Sequence, residues 1–484
     1  MKRQRFRFKL IGLLLFSLFI LLSLYGIHSV SVYGGRWFSY TANPRLSAQK
    51  QRAVEGSIYD RKGLLLAESD GNSRHYSSSS DVRKALVHVL GDRNGKVANG
   101  VETFQAAYLY GYNSSLQNAV RRLTRPEEVS RGNDLTLTVD ADLSASIPGF
   151  FDAHPVTFQK SGAAVVLNYL TGEILALISL PSFDPDSFSA ENLSVSDHPY
   201  WNRATQGLYP PGSTFKIITS AAALEKDPGV STRSFTCDGQ LQVADDFIVH
   251  DFQHAVHGNQ TLEQAFLHSC NVVYASLALR TGQHDLRKTA EAFGFNQNFL
   301  FRDIVVYNSS FPVSIQSDSS LAACGYGQSS IVMTPFHLCL ISAAIANQGK
   351  MPEPRLLLKM TSPAGVETVF SGSASSMRSV CSPGISDQLG RMMKSVVQNG
   401  GSGSRASVPT LDIRGKTGTS ESTSDGGRIN YGWFTGFAAQ RDLPVAVSVL
   451  VEDLPDGETG GTSAALIAHD IFAWIKNHPE MLQN

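Results

Sequence analysis

The chain has 484 residues, of which 42% are hydrophobic and 17% are charged, and its formal net charge is -1. This length predicts roughly two to four domains, and the composition is typical of a folded globular protein. Because nucleic-acid binding needs a basic surface to neutralise phosphates, the balanced charge excludes nucleic acid from the expected partners. The five cysteines are too few for a disulfide scaffold, and no two of them form a Cys-x-x-Cys pair.

The N-terminal sequence has the pattern of a membrane anchor. A basic segment, residues 1–9, precedes an apolar stretch over residues 10–32. At 1.5 Å per residue, about 20 residues cross a hydrocarbon core of about 30 Å, so this stretch is long enough to span. A cleaved signal peptide would need a shorter apolar core and an Ala-x-Ala-like cleavage site, and nothing like Ala-x-Ala follows Tyr25. We therefore expect an uncleaved single-pass anchor with a cytoplasmic basic tail and the rest of the chain outside the membrane.

The rest of the sequence divides into an uneven part, residues 34–158, and a strongly patterned part, residues 159–484. Short polar and apolar elements in the first part predict a small pedestal domain. The second part begins with two apolar segments, 163–167 and 173–180, around a turn that contains Gly172. This pattern predicts a β-hairpin.

Helices and further strands are predicted after the hairpin. The helical segments cover residues 211–224 and 262–280, and both are largely apolar and therefore expected to be buried. Three strands and a C-terminal helix are predicted over residues 413–419, 431–439, 445–452 and 462–476. Strands, then helices, then strands again predict an α+β fold with helices against an antiparallel sheet.

Ser213 and Lys216 form the strongest chemical signal. They lie three residues apart at the start of a predicted helix, so their side chains stack on one face. A serine hydroxyl becomes an effective nucleophile when a base takes its proton, and a desolvated lysine near a second cation can be neutral enough to do so. Because a Ser-x-x-Lys pair also occurs by chance, it needs support from other motifs.

Ser269 and Asn271 form a second candidate pair, inside the predicted helix over residues 262–280. Residues two apart on a helix do not share a face, so the pair indicates either a local turn or projection into a cleft from a helix end. The alternative is that Ser269 and Asn271 are two polar residues of a core helix whose hydrogen bonds are all satisfied, since such a helix could have the same sequence.

The third motif is Lys416-Thr417-Gly418-Thr419, on a predicted strand. Strand alternation places Thr417 and Thr419 on one face and Lys416 on the other, where its long stem can reach a neighbouring hydroxyl. Gly418 allows another backbone to approach closely, as a peptide-like substrate along the strand edge would require. Alone, the motif also fits an ordinary strand that ends in a turn.

Histidine and cysteine residues suggest two other kinds of site. His250, His254 and His257 lie close together, but no acidic or cysteine partner accompanies them at a diagnostic spacing, so we expect no metal site. Cys270 is the middle residue of the second motif. Since no histidine-based activation is evident near it in sequence, a packing role is favoured over a nucleophilic one.

Together, the order and spacing of the three motifs resemble those of the penicillin-interacting serine enzymes. Within that group the sequence is most similar to the monofunctional class B penicillin-binding proteins, which are peptidoglycan D,D-transpeptidases. The resemblance covers nearly the whole chain and includes residues 56–67, 162–185, 325–328, 333–335 and 346–349.

The pedestal signature, residues 56–67, departs from the family pattern at one position. Class B proteins usually place Arg directly before the glycine, whereas here Glu55 precedes Gly56 and Arg52 lies further back. The pedestal ion pair associated with that arginine is therefore not expected in its usual form.

The resemblance implies a role for each catalytic residue. Ser213 would be the acylated nucleophile, and Lys216 would be the base that deprotonates it. Ser269 would pass a proton toward the leaving group, and Lys416 would polarise Ser269 electrostatically. No metal or organic cofactor is implied.

The resemblance also implies how the substrate is held. Asn271 would bind the substrate amide, and the segment Thr417, Gly418 and Thr419 would bind its terminal carboxylate and backbone. The N–H groups of Ser213 and Thr419 would form the oxyanion hole.

The implied reaction consists of two acyl transfers. The D-Ala-D-Ala end of a peptidoglycan stem peptide acylates Ser213 with loss of the last D-Ala, and an amine from a neighbouring strand then converts the ester into a cross-link. β-Lactams would acylate the same serine as inhibitors. The expected location is the bacterial cell membrane, and the expected partner is a SEDS-type glycan polymerase that contacts the anchor and the pedestal.

Other functions share some of these features. A D,D-carboxypeptidase or a β-lactamase has the same motifs but usually lacks such a pedestal. A bifunctional class A enzyme would need a glycosyltransferase domain before the transpeptidase domain, and residues 34–158 are too few for one. A catalytically silent scaffold would be free to lose Lys216 or Lys416, and both are present.

Overall fold

The computed structural model describes residues 2–38, 53–71, 73–111, 130–186, 198–370, 377–398, 400–424 and 427–482. Arg52, the basic residue behind the pedestal signature, lies outside the described residues. The described residues form two large sheets, four small two-stranded sheets, surrounding helices and one long N-terminal helix.

The N-terminal helix, Lys2–Phe38, contains the one candidate membrane span found in the described residues. The span covers Phe6–Ser29, 24 residues, which is enough to cross a hydrocarbon core. Its side chains from Phe6 to His28 are exposed. Exposed apolar side chains all around a helix are expected where lipid surrounds it.

Five antiparallel strands form the central sheet. Their order is Ile413–Ser424, Gly427–Ala438, Val445–Val451, Gly162–Asn168 and Ile174–Leu180. Every residue of Gly162–Asn168 and Val445–Val451 is buried, so both faces of the sheet must be covered. The predicted hairpin and the predicted α+β fold class are confirmed.

Successive side chains of the inner strands enter two separate apolar cores. Val165 belongs to the core that contains Phe336 of helix Pro335–Ala346, whereas Val166 belongs to the core that contains Ile471 of helix Ala464–Asn477. Strand geometry requires this division because neighbouring side chains point to opposite faces. The result is a sandwich of helices, sheet and helices.

The helix Pro335–Ala346 is the most deeply buried element around the sheet. All its residues from Pro335 to Ile345 are buried. It begins at a favourable sequence for a helix start, since the Thr334 hydroxyl accepts a hydrogen bond from His337 N at 3.1 Å and a proline follows directly. A helix that is apolar on every side needs a protein core or a membrane around it, and this one is enclosed by the core.

The other helices around the central sheet are Ala141–Asp152, Lys216–Lys226, Leu262–Leu267, Asn271–Ala292, Asp318–Gly325, Pro383–Val397 and Ala464–Asn477. Short 3-10 helices cover Gly212–Phe215, Pro228–Thr232, Phe252–His254, Ser404–Ala406 and Pro479–Leu482. Small two-stranded sheets pair Ala53–Val54 with Ser130–Arg131, Gln240–Ala244 with Phe247–His250, Phe235–Cys237 with Gly258–Gln260, and Lys350–Met351 with Arg378–Ser379.

A second sheet has six strands in the order Glu367–Val369, Leu357–Thr361, Asp134–Leu137, Ile58–Tyr59, Leu65–Asp70 and Ser73–Tyr76. The helices Ser80–Leu90, Val101–Phe104 and Ala106–Leu109 belong to the same N-terminal region. Two of the six strands come from residues after 158. Conversely, the helix Ala141–Asp152 lies before residue 158 in sequence but packs into a core of the central sheet. The two regions are therefore interwoven, and the boundary at 158/159 stays a prediction.

An ion-pair cluster lies at the start of the pedestal signature and includes Glu55, the residue directly before Gly56. Arg74 Nε lies 2.7 Å from Glu102 Oε1 and 3.8 Å from Glu55 Oε2. The same guanidinium donates to Gly56 O at 2.8 Å. An arginine from another strand therefore supplies the positive charge beside Gly56.

Candidate active site

Ser213 lies in a tight turn that the sheet and a neighbouring loop hold in place. The turn is a 3-10 helix, Gly212–Phe215, which leads directly into the helix that begins at Lys216. The predicted helix over residues 211–224 is therefore correct in position, but its first turn is a 3-10 turn. Lys216 follows this turn directly, so Ser213 and Lys216 lie one turn apart along the chain.

Gly212 is required where three backbone segments meet. Its φ is +52°, and its N–H donates to Gly327 O at 3.0 Å. A Cβ at this position would lie 2.4 Å from Thr419 O. Only glycine allows both the positive φ and this approach. The backbones of the nucleophile turn and the third motif are therefore in direct contact.

Two side chains of the central sheet fix the start of the nucleophile turn. Pro210 O accepts hydrogen bonds from Ser420 Oγ at 2.6 Å and from Trp433 Nε1 at 3.1 Å. Trp433 is completely buried, so its N–H needs a partner inside the protein. The position of Ser213 is thus set by the sheet rather than by its own helix alone.

Ser269 lies at a break between two helices. One helix ends at Leu267, the next begins at Asn271, and Ser269 between them has a φ of +57°. The continuous helix predicted over residues 262–280 is wrong, and the local turn that was its alternative is present. Cys270 caps the second helix, because its Sγ accepts from Val273 N.

Asp251 holds the second motif in this conformation. Its Oδ1 accepts a hydrogen bond from Asn271 N. Its Oδ2 accepts from Cys270 Sγ at 3.0 Å. The Asn271 side chain is fixed as well, since its Nδ2 donates to His250 O at 3.2 Å. A carboxylate distant in sequence therefore determines the shape of the turn that carries Ser269.

Lys216 is completely buried and turns its amine toward the second motif. Its Nζ donates to Ser269 O, to Ser269 Oγ at 3.2 Å and to Asn271 Oδ1 at 2.8 Å. Burial lowers the pKa of Lys216 to about 7, and the nearby Cys270 and Asp251 act in the opposite direction. At neutral pH a large share of Lys216 is therefore uncharged and able to accept a proton.

Lys416 approaches the same hydroxyl from the sheet. Its Nζ lies 3.0 Å from Ser269 Oγ and 2.9 Å from Thr417 O, and its side chain is completely buried. Burial, and then the charge of Lys216, hold the pKa of Lys416 well below its usual range. Ser269 Oγ therefore lies between two amines that resist being charged together. Such an arrangement can pass a proton between them through the hydroxyl.

The third motif lies on the edge strand of the central sheet, Ile413–Ser424, which pairs with Gly427–Ala438 on its other side. An edge strand offers free backbone groups to an added peptide strand. The Thr417 hydroxyl is hydrogen-bonded to Ser402 Oγ at 2.7 Å, and Thr419 Oγ1 accepts from Gly460 N at 3.3 Å. These two contacts orient the predicted carboxylate-binding hydroxyls.

The motif residues differ in burial in a way that suits a reaction at a surface cleft. Lys216 and Lys416 are completely buried. Of the groups expected to contact substrate, four are partly exposed, namely Ser213, Ser269, Asn271 and Thr419, whereas Thr417 and Gly418 are buried. The two lysines thus lie beneath a row of accessible polar groups. All three motifs meet at this one place, as their order along the chain predicts, and the role of each residue stays a prediction.

Gly418 provides a direct test of how closely the third motif must approach the nucleophile turn. A Cβ on Gly418 would lie 2.9 Å from Thr214 Cγ2 and 3.0 Å from Pro211 O. We expect Gly418→Ala to slow acylation by penicillin about 10- to 100-fold, because small misplacements of reacting groups have effects of this order. Stopped-flow or quenched mass measurements of acylation would give the rate.

Gly149→Ala is the matched control for this substitution. Gly149 is exposed on the helix Ala141–Asp152, and a Cβ there would have no atom within 4 Å. This variant should be acylated at the parent rate. Parent-like acylation of Gly418→Ala would show that the contact between strand and turn does not position the reacting groups.

Sequence reasoning missed several residues around the site. Asp251 and Ser402 stand in no recognisable motif, so no local signal identifies them. No acidic or cysteine partner lies at a diagnostic spacing from the histidines in sequence, but in the structure His257 Nδ1 lies 3.3 Å from Asp251 Oδ2 and 3.5 Å from Cys237 Sγ. His254 is exposed at the surface.

Comparison with known proteins gives a family match over most of the chain. Residues 162–473 match the family described as the penicillin binding protein transpeptidase domain. The peptidoglycan D,D-transpeptidase PbpA of Mycolicibacterium smegmatis is 30% identical over 329 residues, which are 64% of this chain and 66% of that protein. Stage V sporulation protein D of Bacillus subtilis is 30% identical over 445 residues, which are 87% of this chain. The chain spans 66% of the length of each of these two relatives.

Solved structures with the same fold include penicillin-binding protein A from Mycobacterium tuberculosis as a ceftriaxone acyl-enzyme complex. The TM-score is 0.75 at 27% sequence identity, and the match covers 88% of this chain and 99% of that one. Its penicillin G acyl-enzyme complex matches with a TM-score of 0.71. Most of this chain therefore shares its fold with a protein whose solved structures include β-lactam acyl-enzyme complexes.

Proposed function

Because this chain belongs to the family of penicillin-binding protein transpeptidase domains, we propose that it is a peptidoglycan D,D-transpeptidase that works through an ester on Ser213 and is inhibited by β-lactams. The observation that carries the proposal is the convergence of three motifs on one hydroxyl. Ser269 Oγ lies 3.2 Å from Lys216 Nζ and 3.0 Å from Lys416 Nζ, next to the nucleophile turn.

Acylation begins when neutral Lys216 takes the proton of Ser213. To do so its amine exchanges one of its present acceptors, Ser269 or Asn271, for the Ser213 hydroxyl. The serine oxygen then attacks the carbonyl carbon of the penultimate D-Ala, and the developing oxyanion is stabilised by backbone N–H groups of Ser213 and Thr419. Loss of one such donor typically costs about 10²- to 10³-fold in rate.

The leaving group departs as the free amine of the last D-Ala. That nitrogen needs a proton when the carbon–nitrogen bond breaks. The Ser269 hydroxyl can donate this proton and take a new one from either neighbouring lysine amine. Low dielectric and full burial make the two lysines strongly coupled, so a proton gained by one is readily passed on. The product of this half-reaction is the peptidyl ester of Ser213.

In deacylation the same groups transfer protons in the opposite direction. An acceptor amine from a neighbouring stem peptide loses a proton to the lysine and serine network, attacks the ester carbonyl and forms the new amide bond. Ser213 leaves as the alkoxide and recovers its proton from Lys216. The acceptor lies along the edge strand Ile413–Ser424, where free backbone groups can align a peptide.

The lifetime of a penicillin adduct tests the proposal against its closest alternatives. The full chain in detergent, mixed with penicillin and followed by intact mass, should form a one-to-one adduct that persists for hours. Fast loss of the adduct with consumption of penicillin would indicate a β-lactamase instead. A folded protein that forms no adduct would favour a catalytically silent scaffold.

We further propose that the N-terminal helix anchors the protein in the bacterial cell membrane, with residues 1–9 in the cytoplasm and the two sheets outside. Support comes from the apolar segment Phe6–Ser29 and from the basic residues before it, which the positive-inside bias keeps cytoplasmic. The resemblance of the pedestal signature to class B proteins supports a SEDS-type glycan polymerase as partner.

Co-purification tests whether the chain binds a SEDS-type glycan polymerase. The full chain, tagged and extracted in mild detergent, should retain a SEDS-type polymerase of its host, and a chain whose apolar segment is exchanged for an unrelated membrane span should retain less. Loss of the polymerase from the parent, under conditions that preserve a known pair of this type, would contradict the proposal.

A further inference from the structure

A cavity of about 980 Å³ lies where three helices meet, and none of the motif residues lines it. Its walls come from the end of the helix Lys216–Lys226, the second half of the helix Asn271–Ala292 and the start of the helix Pro383–Val397. Sites for small ligands have typical volumes of about 300–1,000 Å³, so this space can hold a short peptide. We call it the rear cavity.

The rear cavity is separate from the catalytic cleft. The helix that begins at Lys216 has 11 residues, so its far end, at the rear cavity, lies about 15 Å from Lys216. The helix that begins at Asn271 is interrupted at Gly282, where φ is +80°, and it lines the rear cavity only beyond this interruption. A ligand in the rear cavity therefore does not touch the reacting groups.

Two side chains of opposite charge on its wall are available to a ligand. Glu225 and Lys288 are exposed, and neither forms an ion pair with a described residue. Lys226 differs, because its Nζ donates to Thr281 O at 2.7 Å and lies 3.0 Å from Asp285 Oδ2. The protein itself thus occupies Lys226, and the remaining pair suits a ligand that carries both an amine and a carboxylate.

The wall also offers a hydrogen-bond acceptor and apolar surface. Gln388 Oε1 is buried and has no hydrogen-bond partner among the described residues. Such an acceptor is unfavourable, and rotation of the terminal amide would turn it toward a ligand N–H. Leu224, Val380 and Ile385 add apolar surface. Amide N–H groups and small apolar side chains are the features of a peptide.

We propose that the rear cavity binds a second peptidoglycan stem peptide, outside the cleft. The free carboxylate of a stem peptide complements Lys288, and its free acceptor amine complements Glu225. Its amide groups donate to Gln388, and its alanine methyl groups pack on the apolar wall. The assignment to stem peptides rests on the proposed function, whereas the charges and the volume of the cavity do not.

A second peptide site affects how a polymeric substrate is used. One glycan strand carries several stem peptides, so a strand held at the rear cavity presents its other stem peptides to the cleft at a raised effective concentration. No covalent step takes place at the rear cavity. The expected consequence is a lower KM for glycan-linked stem peptides than for the free peptide.

Isothermal titration calorimetry tests binding. The full chain in detergent is titrated with a stem tetrapeptide whose third residue is either lysine or meso-diaminopimelate. This peptide lacks the last D-Ala and is therefore not a donor. One of the two forms should bind, and Glu225→Lys and Lys288→Glu should each weaken its binding at least about tenfold, because each replaces an attraction by a repulsion.

Glu68→Lys and Lys96→Glu are matched controls for the two charge reversals. Both residues are exposed, and neither lines the rear cavity. These variants should bind the tetrapeptide with parent affinity. Absence of binding to the parent would overturn the proposal, and so would binding that both reversals leave unchanged. Tetra-L-alanine that binds as tightly as the tetrapeptide would contradict the assignment to stem peptides.

Cross-linking kinetics test the consequence for a polymer. The parent should have a KM for glycan-linked stem peptides at least about tenfold below that for the free peptide. Glu225→Lys and Lys288→Glu should each lose this difference, and the two control variants should keep it. A KM for glycan-linked stem peptides that neither reversal raises would contradict the role of the rear cavity.

Failure of this site and failure of the proposed function give different results. Calorimetric binding does not require acylation of Ser213. A parent that forms no penicillin adduct, but binds the tetrapeptide in a way that both reversals weaken, would refute the function and leave the rear cavity as a peptide site. A parent that forms the adduct and binds no tetrapeptide would refute the site alone.

Discussion

Ser213→Ala is expected to abolish the penicillin adduct completely while the protein stays folded. Ser213 is partly exposed and lies in a turn that other residues hold, because Gly212 and Pro210 make the contacts to Gly327, Ser420 and Trp433. Removing one hydroxyl should leave those contacts and the melting temperature unchanged. Loss of a serine nucleophile in enzymes of this chemical type costs about 10⁶-fold in rate.

Ser234→Ala is the matched control for the loss of a hydroxyl. Ser234 is exposed and precedes the strand Phe235–Cys237. This variant should form the adduct at the parent rate. An adduct on Ser213→Ala of the same mass and on the same peptide would mean that a different group is acylated, and it would remove Ser213 from the account.

Lys216→Met is expected to slow acylation by about 10²- to 10⁴-fold, the usual contribution of a general base. Methionine keeps a long side chain in the buried space but has no proton acceptor of comparable basicity. Lys226→Met, at the exposed end of the same helix, is the control and should keep the parent rate. Acylation of Lys216→Met within about twofold of the parent would exclude Lys216 as the base.

The pH dependence of the acylation rate of the parent protein follows from the pKa of Lys216. Burial lowers the pKa of Lys216 to about 7, and only the neutral amine accepts a proton from Ser213. The acylation rate should therefore rise with pH through about 7 and level off above it. Rates measured from pH 6 to pH 9 would show this rise, and a flat profile would contradict it.

The fold could be predicted where burial imposes a regular pattern. The strands Gly162–Asn168 and Val445–Val451 are apolar throughout, and the structure covers both faces of each. The break at Ser269 was predicted only as one of two alternatives, from the spacing of Ser269 and Asn271, because neither glycine nor proline marks it. Its positive φ depends on the hydrogen bond from Asn271 N to Asp251, a contact between residues far apart along the chain.

The candidate site likewise combines residues that local motifs identify with residues that only contacts between distant segments bring together. Ser213, Ser269 and Lys416 could be assigned to one site because their motifs have a recognisable order, and the structure brings all three elements to one place. The contact between Cys237 Sγ and His257 Nδ1 could not be anticipated in this way. Cys237 and His257 meet only because two short strands pair, and neither residue carries a spacing that indicates its partner.

The most direct measurement of the central claim is the formation of a cross-link. The full chain in detergent is incubated with a synthetic stem peptide that ends in D-Ala-D-Ala and with an acceptor peptide that carries a free amine, and the products are identified by mass. We expect one released D-Ala for each new amide between the two peptides, with both products absent from Ser213→Ala. Release of D-Ala with only hydrolysed donor would show a carboxypeptidase, and no release from folded protein would contradict the catalytic account.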